Sequence, residues 1–370
     1  MIKTIGLVTG GGDAPGLNAV IRAVVKTAIG EFGLRVVGIE DSYEGLVGET
    51  HVRELRPADV RGLLPRGGTI LGTRNRGSFV LKNLDEDPSG GAVFREGIAN
   101  LERLGVDALV AVGGEGTLGI AQEFSRRGVP VVGVPKTIDN DLAATELTFG
   151  FMTALDISTE ALDRLHTTAE SHDRAMVLEV MGRHAGWIAL HSGISGGADV
   201  ILIPEIPFSM EKLAQKVRAR DECGAKFSII VAAEGAREAE GGQHYVDMGD
   251  RGAAPRLGGI GHHVAHEVTQ LTGKETRCVV LGHLQRGGSP NAFDRMLATN
   301  FGSSAVRALA RGQSGVMVAL HASNVTTVPL SAAVRDLKTV RLDSQLVRCA
   351  RDVGISFAAP DEDEAHGPEC

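Results

Sequence analysis

Residues 107–124 read DALVAVGGEGTLGIAQEF. The apolar run from Ala108 to Val112 breaks into two glycines, a carboxylate, a further glycine and a threonine, after which apolar residues return at helical spacing. A short continuous apolar run followed by a 3.6-residue period predicts a buried strand, a tight turn and an amphipathic helix. Two readings of the turn compete. Small residues suit any sharp strand-to-helix passage. Alternatively, the turn leaves backbone N–H groups free to receive a phosphate, with Glu115 placed to hold a cation.

The same grammar recurs along the chain. Short β-branched runs (IGLVT, RVVGI, DALVAV, VPVVGV, AMVLEV, DVILIP, FSIIVAA, RCVVLG and GVMVAL) alternate with amphipathic stretches. Nine such runs predict an α/β fold with largely parallel sheets, both faces covered by helices. In GLNAVIRAVVKTAIGEFG the residues Val20, Ile21, Val24, Val25, Ala28 and Ile29 form one apolar stripe, and Gly33 is placed to stop the helix. Residues 73–93 and 237–259 are polar and Gly-rich and read as surface loops. The end, FAAPDEDEAHGPEC, is acidic and expected to be disordered.

A length of 370 residues exceeds one small core, so two domains are expected. The net charge of −8 argues against a general nucleic-acid binder, so phosphate recognition would need locally gathered Arg and Lys. Four cysteines without C-x-x-C spacing favour a reducing compartment over a zinc site or disulfide framework. No apolar run is long enough for a membrane span, and the one at the N-terminus is too short for a signal peptide, so the expected setting is cytoplasmic.

Further stretches carry chemistry. LVTGGGDAPGLNAVIRAVV sets Gly10, Gly11 and Gly12 between the first strand and the first helix, with Asp13 beside an anion site or at the helix cap. The G-x-G-x-x-G dinucleotide spacing is missing. VPKTIDNDL sets Asp139 and Asp141 just beyond a strand, after Lys136 and Thr137. Beside a phosphate, one carboxylate can accept a proton from an attacking hydroxyl while the other orients or tunes it; an Asx-rich turn is the plain alternative. AESHDRAMVLEVMGRHAGW places Arg174 before a strand and Arg183 after it. KETRCVVLGHLQRGGSP places Arg277 before a strand, with His283 and Arg286 after it. An Arg beside Gly at a strand end suits a bidentate phosphate contact; a solvated rim charge is the bland alternative.

Together these stretches resemble the phosphofructokinase family, the ATP- or pyrophosphate-dependent 6-phosphofructokinases, and within it the mixed-substrate bacterial group. GGDAPGLNAVIR, GGTILGT, GGEGT, PKTIDND, EVMGRHAG and LGHLQRGGSP occur in the family's order, across residues 1 to about 345. The resemblance implies two similar three-layer α/β domains with the active site in the cleft between them. Residues 1–150 plus about 285–335 would bind donor and Mg²⁺, residues 151–284 plus about 336–357 the sugar phosphate, and 358–370 would form a disordered acidic tail.

The implied reaction is phosphoryl transfer from ATP to the 1-hydroxyl of fructose 6-phosphate. Gly11, Gly114, Gly116 and Thr117 would hold the donor phosphates, with Arg76, preferred to Arg74, beside them. Glu115 stands where most relatives have Asp and would bind Mg²⁺ directly or through water. Asp139 would be the base, Thr137 and Asp141 would assist it, and Arg183 would contact the transferring group. Met181, Gly182, Glu234, His283 and Arg286 would hold the sugar phosphate. Arg174 and Arg277 correspond to residues lent by a neighbouring subunit, which implies a homodimer or homotetramer.

Donor choice is mixed by the same comparison. Pyrophosphate-dependent relatives usually carry Asp where this chain has Gly116, and a side chain there would fill the room of a nucleotide α-phosphate. Lys136 points towards pyrophosphate; steric exclusion outweighs one flexible cation, so ATP is the expected donor. Another acceptor, such as sedoheptulose 7-phosphate, stays open. Arg22 and Lys226 fit an effector site, but Lys26 and His166 stand where regulated relatives have Arg, so ordinary allosteric control is not expected. NAD kinases and diacylglycerol kinases share a similar glycine turn but lack PKTIDND and LGHLQRGG. A non-catalytic paralogue would be expected to lack Asp139 or Arg183, and both are present.

Overall fold

All nine β-branched runs form strands in the computed structural model, which describes residues 2–81, 88–247 and 256–362. The chain divides into two units, Met1–Thr153 with Arg286–Leu337, and Ala154–Gln285 with Lys338–Cys370. The first holds β1 (Thr4–Thr9), α1 (Leu17–Phe32), β2 (Arg35–Ile39), β3 (Val52–Leu55), α2 (Pro88–Arg103), β4 (Ala108–Gly113), α3 (Glu115–Arg126), β5 (Val131–Thr137) and β6 (Phe149–Gly150). The chain then passes into α4 (Phe151–His172), β7 (Ala175–Val180), α5 (Trp187–Ser195), β8 (Val200–Leu202), α6 (Met210–Glu222) and β9 (Ser228–Ala233). It continues through β10 (Tyr245–Asp247), β11 (Arg256–Leu257), α7 (Ile260–Thr272) and β12 (Thr276–Val280). The first unit is completed by α8 (Ala292–Ala310), β13 (Val316–His321), β14 (Asn324–Pro329) and α9 (Leu330–Val334), and the second by α10 (Gln345–Asp352).

In the first unit the strand order is β14-β13-β5-β4-β1-β2-β3, with β6 added on β5. The five central strands run parallel, and β3 and β14 close the edges antiparallel. Every residue of β1, β4 and β5 is buried, as expected of strands covered on both faces. Alternation sends Ile5 and Leu7 to the face packed by Val20 and Val24 of α1 and Phe301 and Ala305 of α8. Val8, Leu109 and Ala111 face the other way, onto Phe94 of α2 and Leu118 and Phe124 of α3. Gly33 ends α1 in the left-handed region, its N–H bonding back to the last turn.

The second unit carries a four-stranded parallel sheet in the order β12-β7-β9-β8. Val177, Val200, Leu202 and Ile230 pack against Leu213 and Val217 of α6 and Val264 and Val268 of α7. Ile201 alternates to the opposite face, where α5 approaches so closely that a Cβ on Gly193 would lie 2.5 Å from it. Helix, sheet, helix is therefore the layering of both units.

Several local expectations are corrected. Helix α2 begins at Pro88, inside the stretch read as loop, because proline suits a first helical turn where its missing N–H costs nothing. Within 237–259, β10 pairs with β11 and Arg237 bridges Gln243, while residues 248–255 lie outside the described residues. The tail is ordered as far as residue 362: Ala358 is fully buried, its carbonyl accepts the Ser209 N–H at 2.7 Å, and Glu362 accepts from Ser356 Oγ at 2.8 Å. The remaining expectation, for residues 363–370, lies outside the described residues. Cys278 and Cys349 are free thiols, whereas Cys223 is disulfide-bonded, a bridge its sequence spacing did not signal.

Phe124 anchors α3, its ring centroid 5.5 Å from Tyr43, 5.5 Å from Phe79 and 5.2 Å from Phe94. Emptying so large a buried site costs about 3–5 kcal/mol. Phe124→Ala is therefore expected to lower unfolding stability by that amount in urea denaturation, and a change within experimental error would show that the cluster does not hold the helix.

Candidate active site

The turn after β4 is the N-terminus of α3. Gly114 occupies the cap position without a side-chain cap, so the first N–H groups of the helix point outward unsatisfied by any side chain there. Its glycines have different reasons. A Cβ on Gly113 would sit 2.3 Å from the Thr117 Cβ, so packing alone demands glycine. Gly116 has nothing within 4 Å of where its Cβ would be, and its backbone is helical and unstrained. Neither packing nor conformation requires glycine at 116. Thr117 is buried, and the Tyr43 hydroxyl donates to its carbonyl at 3.1 Å. Glu115 is exposed in the first turn and makes no ion pair among the described residues.

The turn after β1 lies alongside. Gly10 N–H donates to the Val112 carbonyl and Gly11 N–H to the Arg74 carbonyl, each at 3.0 Å. Gly11 sits at φ +76°, a conformation that suits glycine. The cap of α1 is Gly16, without a side-chain bond, so Asp13 is not the helix cap. Arg74 pairs with Asp41 at 3.2 Å, while Arg76 is exposed without a partner among the described residues.

Strand β5 delivers Lys136 and Thr137 to this corner, and the chain then turns through Asp139 and Asp141. Asn140 between them takes φ +51°, and its Oδ1 accepts the Thr148 N–H at 3.1 Å, which fixes the turn. Asp139 N–H donates to Thr137 Oγ1 at 3.1 Å, while the Asp139 Oδ1 is buried with no hydrogen-bond partner. Burial, reinforced by the Asp141 charge, pushes the Asp139 carboxyl up to about 6, against the opposing pull of Arg286 and Lys136. Lys136 is 2% exposed and donates to the Gly12 carbonyl. Burial and the neighbouring Arg286 lower its pKa to about 8, while Asp13, Asp139 and Asp141 oppose that fall. Arg286 belongs to this unit, its Nη1 donating to the Asp13 carbonyl at 3.1 Å.

In the second unit a further group gathers at the C-terminal ends of the parallel strands. Met181, Gly182 and Arg183 follow β7, Glu234 follows β9 and His283 follows β12. The segments are tied together: Glu234 N–H donates to Val180 O at 2.8 Å, Gly235 N–H to Gly182 O at 3.1 Å and Leu281 N–H to Glu179 O at 3.0 Å. Gly182, at φ +143°, could carry no other side chain without strain, and a Cβ would meet the Ala185 carbonyl at 2.9 Å. Gln285, fully buried, accepts from Met181 N–H at 3.3 Å and donates to Gly282 O at 3.1 Å. Sequence reading missed Gln285, Tyr43 and Asn140, since single polar residues that support a turn have no pattern to betray them.

Arg174 and Arg277 stand apart from that group. Arg174 immediately precedes β7 and Arg277 is the second residue of β12, so both stand at the opposite, N-terminal ends of these parallel strands. Both guanidinium groups bind Glu275, at 2.8 Å and 2.5 Å, and these bonds hold its carboxyl below the usual range. His166 Nε2 donates to the Gly196 carbonyl at 2.7 Å, and the ring packs edge-on to Phe227.

The comparisons with known proteins agree with this picture. The family model described as Phosphofructokinase matches residues 4–309. The chain is 59% identical to an ATP-dependent 6-phosphofructokinase of Chloroflexus aurantiacus, over 96% of this chain and 98% of that protein. It is 52% identical to a pyrophosphate–fructose 6-phosphate 1-phosphotransferase of Amycolatopsis methanolica, over 91% of this chain and 96% of that protein. Its fold matches the crystal structure of Pichia pastoris phosphofructokinase in the T-state with a TM-score of 0.79 at 33% identity, covering 98% of this chain and 38% of the yeast chain. Two parallel α/β units, a glycine turn at an uncapped helix start and paired aspartates after β5 have the company these relatives lead one to expect: the chain belongs to the phosphofructokinase family.

Proposed function

We propose that the protein transfers the terminal phosphoryl group of ATP to the 1-hydroxyl of fructose 6-phosphate, yielding ADP and fructose 1,6-bisphosphate in cytoplasmic glycolysis. The observation that carries this reading is Asp139, a carboxylate with one buried oxygen left without a hydrogen-bond partner. A buried acceptor kept unpaired suits a hydroxyl brought by substrate. Asp139 takes the proton of the 1-hydroxyl as that oxygen bonds to the γ-phosphorus, and the bond to the β–γ bridging oxygen breaks. Thr137 fixes the Asp139 backbone, and the Asp141 charge helps keep the base poised near neutrality. Arg183 supplies charge to the transferring group.

The donor phosphates meet Gly11, Gly114, Gly116 and Thr117, with Arg76 as the flanking cation. Mg²⁺ fits the exposed carboxylate of Glu115, whose oxygen chemistry and uncrowded neighbour Gly116 suit a hard cation that keeps several waters. When bound, that ion would neutralise charge on the donor phosphates. Met181, Gly182, Glu234, His283 and Arg286 hold the sugar phosphate. Pyrophosphate as donor is the second reading, favoured by Lys136 and by the Amycolatopsis relative's name.

Arg174 and Arg277 serve a neighbouring subunit's site in this reading. Their place at the far strand ends supports it, as does Glu275, which pre-orients both guanidinium groups. β12 is an edge strand exposing Val279 and Val280, followed by Leu284 at 68% exposure, an apolar edge that a second copy would cover.

Four outcomes test these assignments. The base must be ionised and its lysine neighbour charged, so kcat/KM is expected to fall below pH about 6 and again above about 8. Asp139→Ser should lower kcat by about 10²–10⁴-fold and remove the acid limb; near-wild-type turnover with that limb intact would remove Asp139 from the mechanism. Gly116→Asp should raise the KM for ATP strongly and, with Lys136 in place, admit pyrophosphate as a weak donor, which steady-state kinetics with both donors will show. A wild type that prefers pyrophosphate would reverse the donor assignment. Finally, Arg183→Ala and Arg277→Ala chains, each inactive alone, should regain part of the activity when dissociated and reassembled together, whereas sites completed within one chain would regain none.

A further inference from the structure

Outside the residues given roles above, three metal-ligating side chains of the second unit converge. Glu238 lies on the segment leaving β9, His244 stands immediately before β10, and His263 is in the first turn of α7. One ligating atom from each lies within 4.8 Å of the others. Glu238 Oε1 is 2.5 Å from His263 Nε2 and 3.9 Å from His244 Nε2, and the two imidazole rings stack 4.3 Å apart at 26°.

The backbone holds all three in place. Glu238 bridges Phe208, whose N–H donates to Arg237 O at 3.1 Å while Ala239 N–H donates to Phe208 O at 2.8 Å. The His244 carbonyl accepts Gly258 N–H at 3.3 Å. The start of α7 is fixed by Glu179, a buried carboxylate from β7 that accepts Gly261 N–H at 2.8 Å and Gly259 N–H at 3.2 Å. A simple carboxylate–imidazole hydrogen bond needs only one histidine. Here a second imidazole nitrogen approaches the same oxygen.

We propose that Glu238, His244 and His263 form a binding site for a divalent transition metal of the Zn²⁺ class, with three protein ligands and water in the fourth position. Two imidazole nitrogens and one carboxylate oxygen are the donors Zn²⁺ and Co²⁺ prefer, whereas Mg²⁺ and Ca²⁺ take oxygens. Bonds of about 2.0–2.2 Å place tetrahedral ligands roughly 3.3 Å apart. The separations of 2.5 and 3.9 Å bracket that value, so small side-chain rotations complete the site. The metal would tie the segment between β9 and β10 to α7 and steady the path that follows Glu234.

Equilibrium dialysis of the full-length protein against Co²⁺ in the presence of Mg²⁺, with metal analysis and visible spectroscopy, tests the site. Wild type should bind one Co²⁺ per chain at this site with an intense four-coordinate visible spectrum and no thiolate charge-transfer band, displaced by Zn²⁺. His263→Ala, His244→Gln and Glu238→Gln should each bind at least tenfold more weakly while keeping Mg²⁺-dependent turnover, which reports that they fold. Binding equal in wild type and these turning-over variants, a thiolate band, or no binding by wild type would overturn the proposal. Should one substitution abolish turnover, the other two carry the comparison.

Discussion

A lysine ammonium taken almost wholly out of water needs counter-charge close by, and that need organises the corner where β5 ends. Burying an unpaired charge costs several kcal/mol even after relaxation. Lys136 meets the requirement by donating to the Gly12 carbonyl and by sharing its surroundings with Asp13, Asp139 and Asp141. Arg286, bonded to the Asp13 carbonyl, adds a second cation to the same cluster. The turn after β1, the end of β5 and the start of the segment leading to α8 are therefore held by one electrostatic balance. One of the carboxylates that balance Lys136, Asp139, has its own pKa raised by burial to about 6. Cation and carboxylate tune each other.

The glycine turn opposite shows how function separates from packing. Gly113 is demanded by Thr117, and Gly11 by its backbone angle, so both would be glycine in any protein with this local path. Gly116 answers to neither pressure. Its space is open and its backbone ordinary, so nothing within the protein accounts for its missing side chain. Of the competing readings of residues 113–117, plain turn chemistry accounts for Gly113, while the phosphate reading is the one proposed for Gly116.

Fully buried parallel strands were legible because helices on both faces leave no polar alternation, and every run chosen on that basis is a strand. The weaker strands β3, β10, β11 and β14 escaped because edge and hairpin strands carry polar residues that resemble loops. Residues 358–362 also read as tail, since the order there comes from Glu362 capping Ser356 and from a backbone bond to Ser209, contacts distant in sequence or too local to form a period. At the site, motif residues fell into two local clusters as their strand ends required. The neighbours of Arg286 were not legible: nothing in LGHLQRGGSP says that its guanidinium reaches back to a carbonyl 273 residues earlier. The Glu238, His244 and His263 group was invisible for the same reason, because its members are spaced unlike any metal motif and meet only through the fold.

Lys136 is also where a sequence marker and its physical role part company. By family comparison it points towards pyrophosphate, as though its charge were free to meet the donor. In the fold its ammonium is buried, bonded to a backbone carbonyl and shared among three carboxylates. Replacing it by glycine would leave Asp139 with the Asp141 charge against it and Arg286 as the remaining cation that lowers its pKa, and its carboxyl would be pushed further from ionisation. A lysine at this position therefore has work to do whichever donor is used. Gly116 has no such second duty, since nothing in the protein touches the space it leaves. When two markers disagree, the one without a structural job carries the cleaner information about the ligand, and here that marker favours a nucleotide.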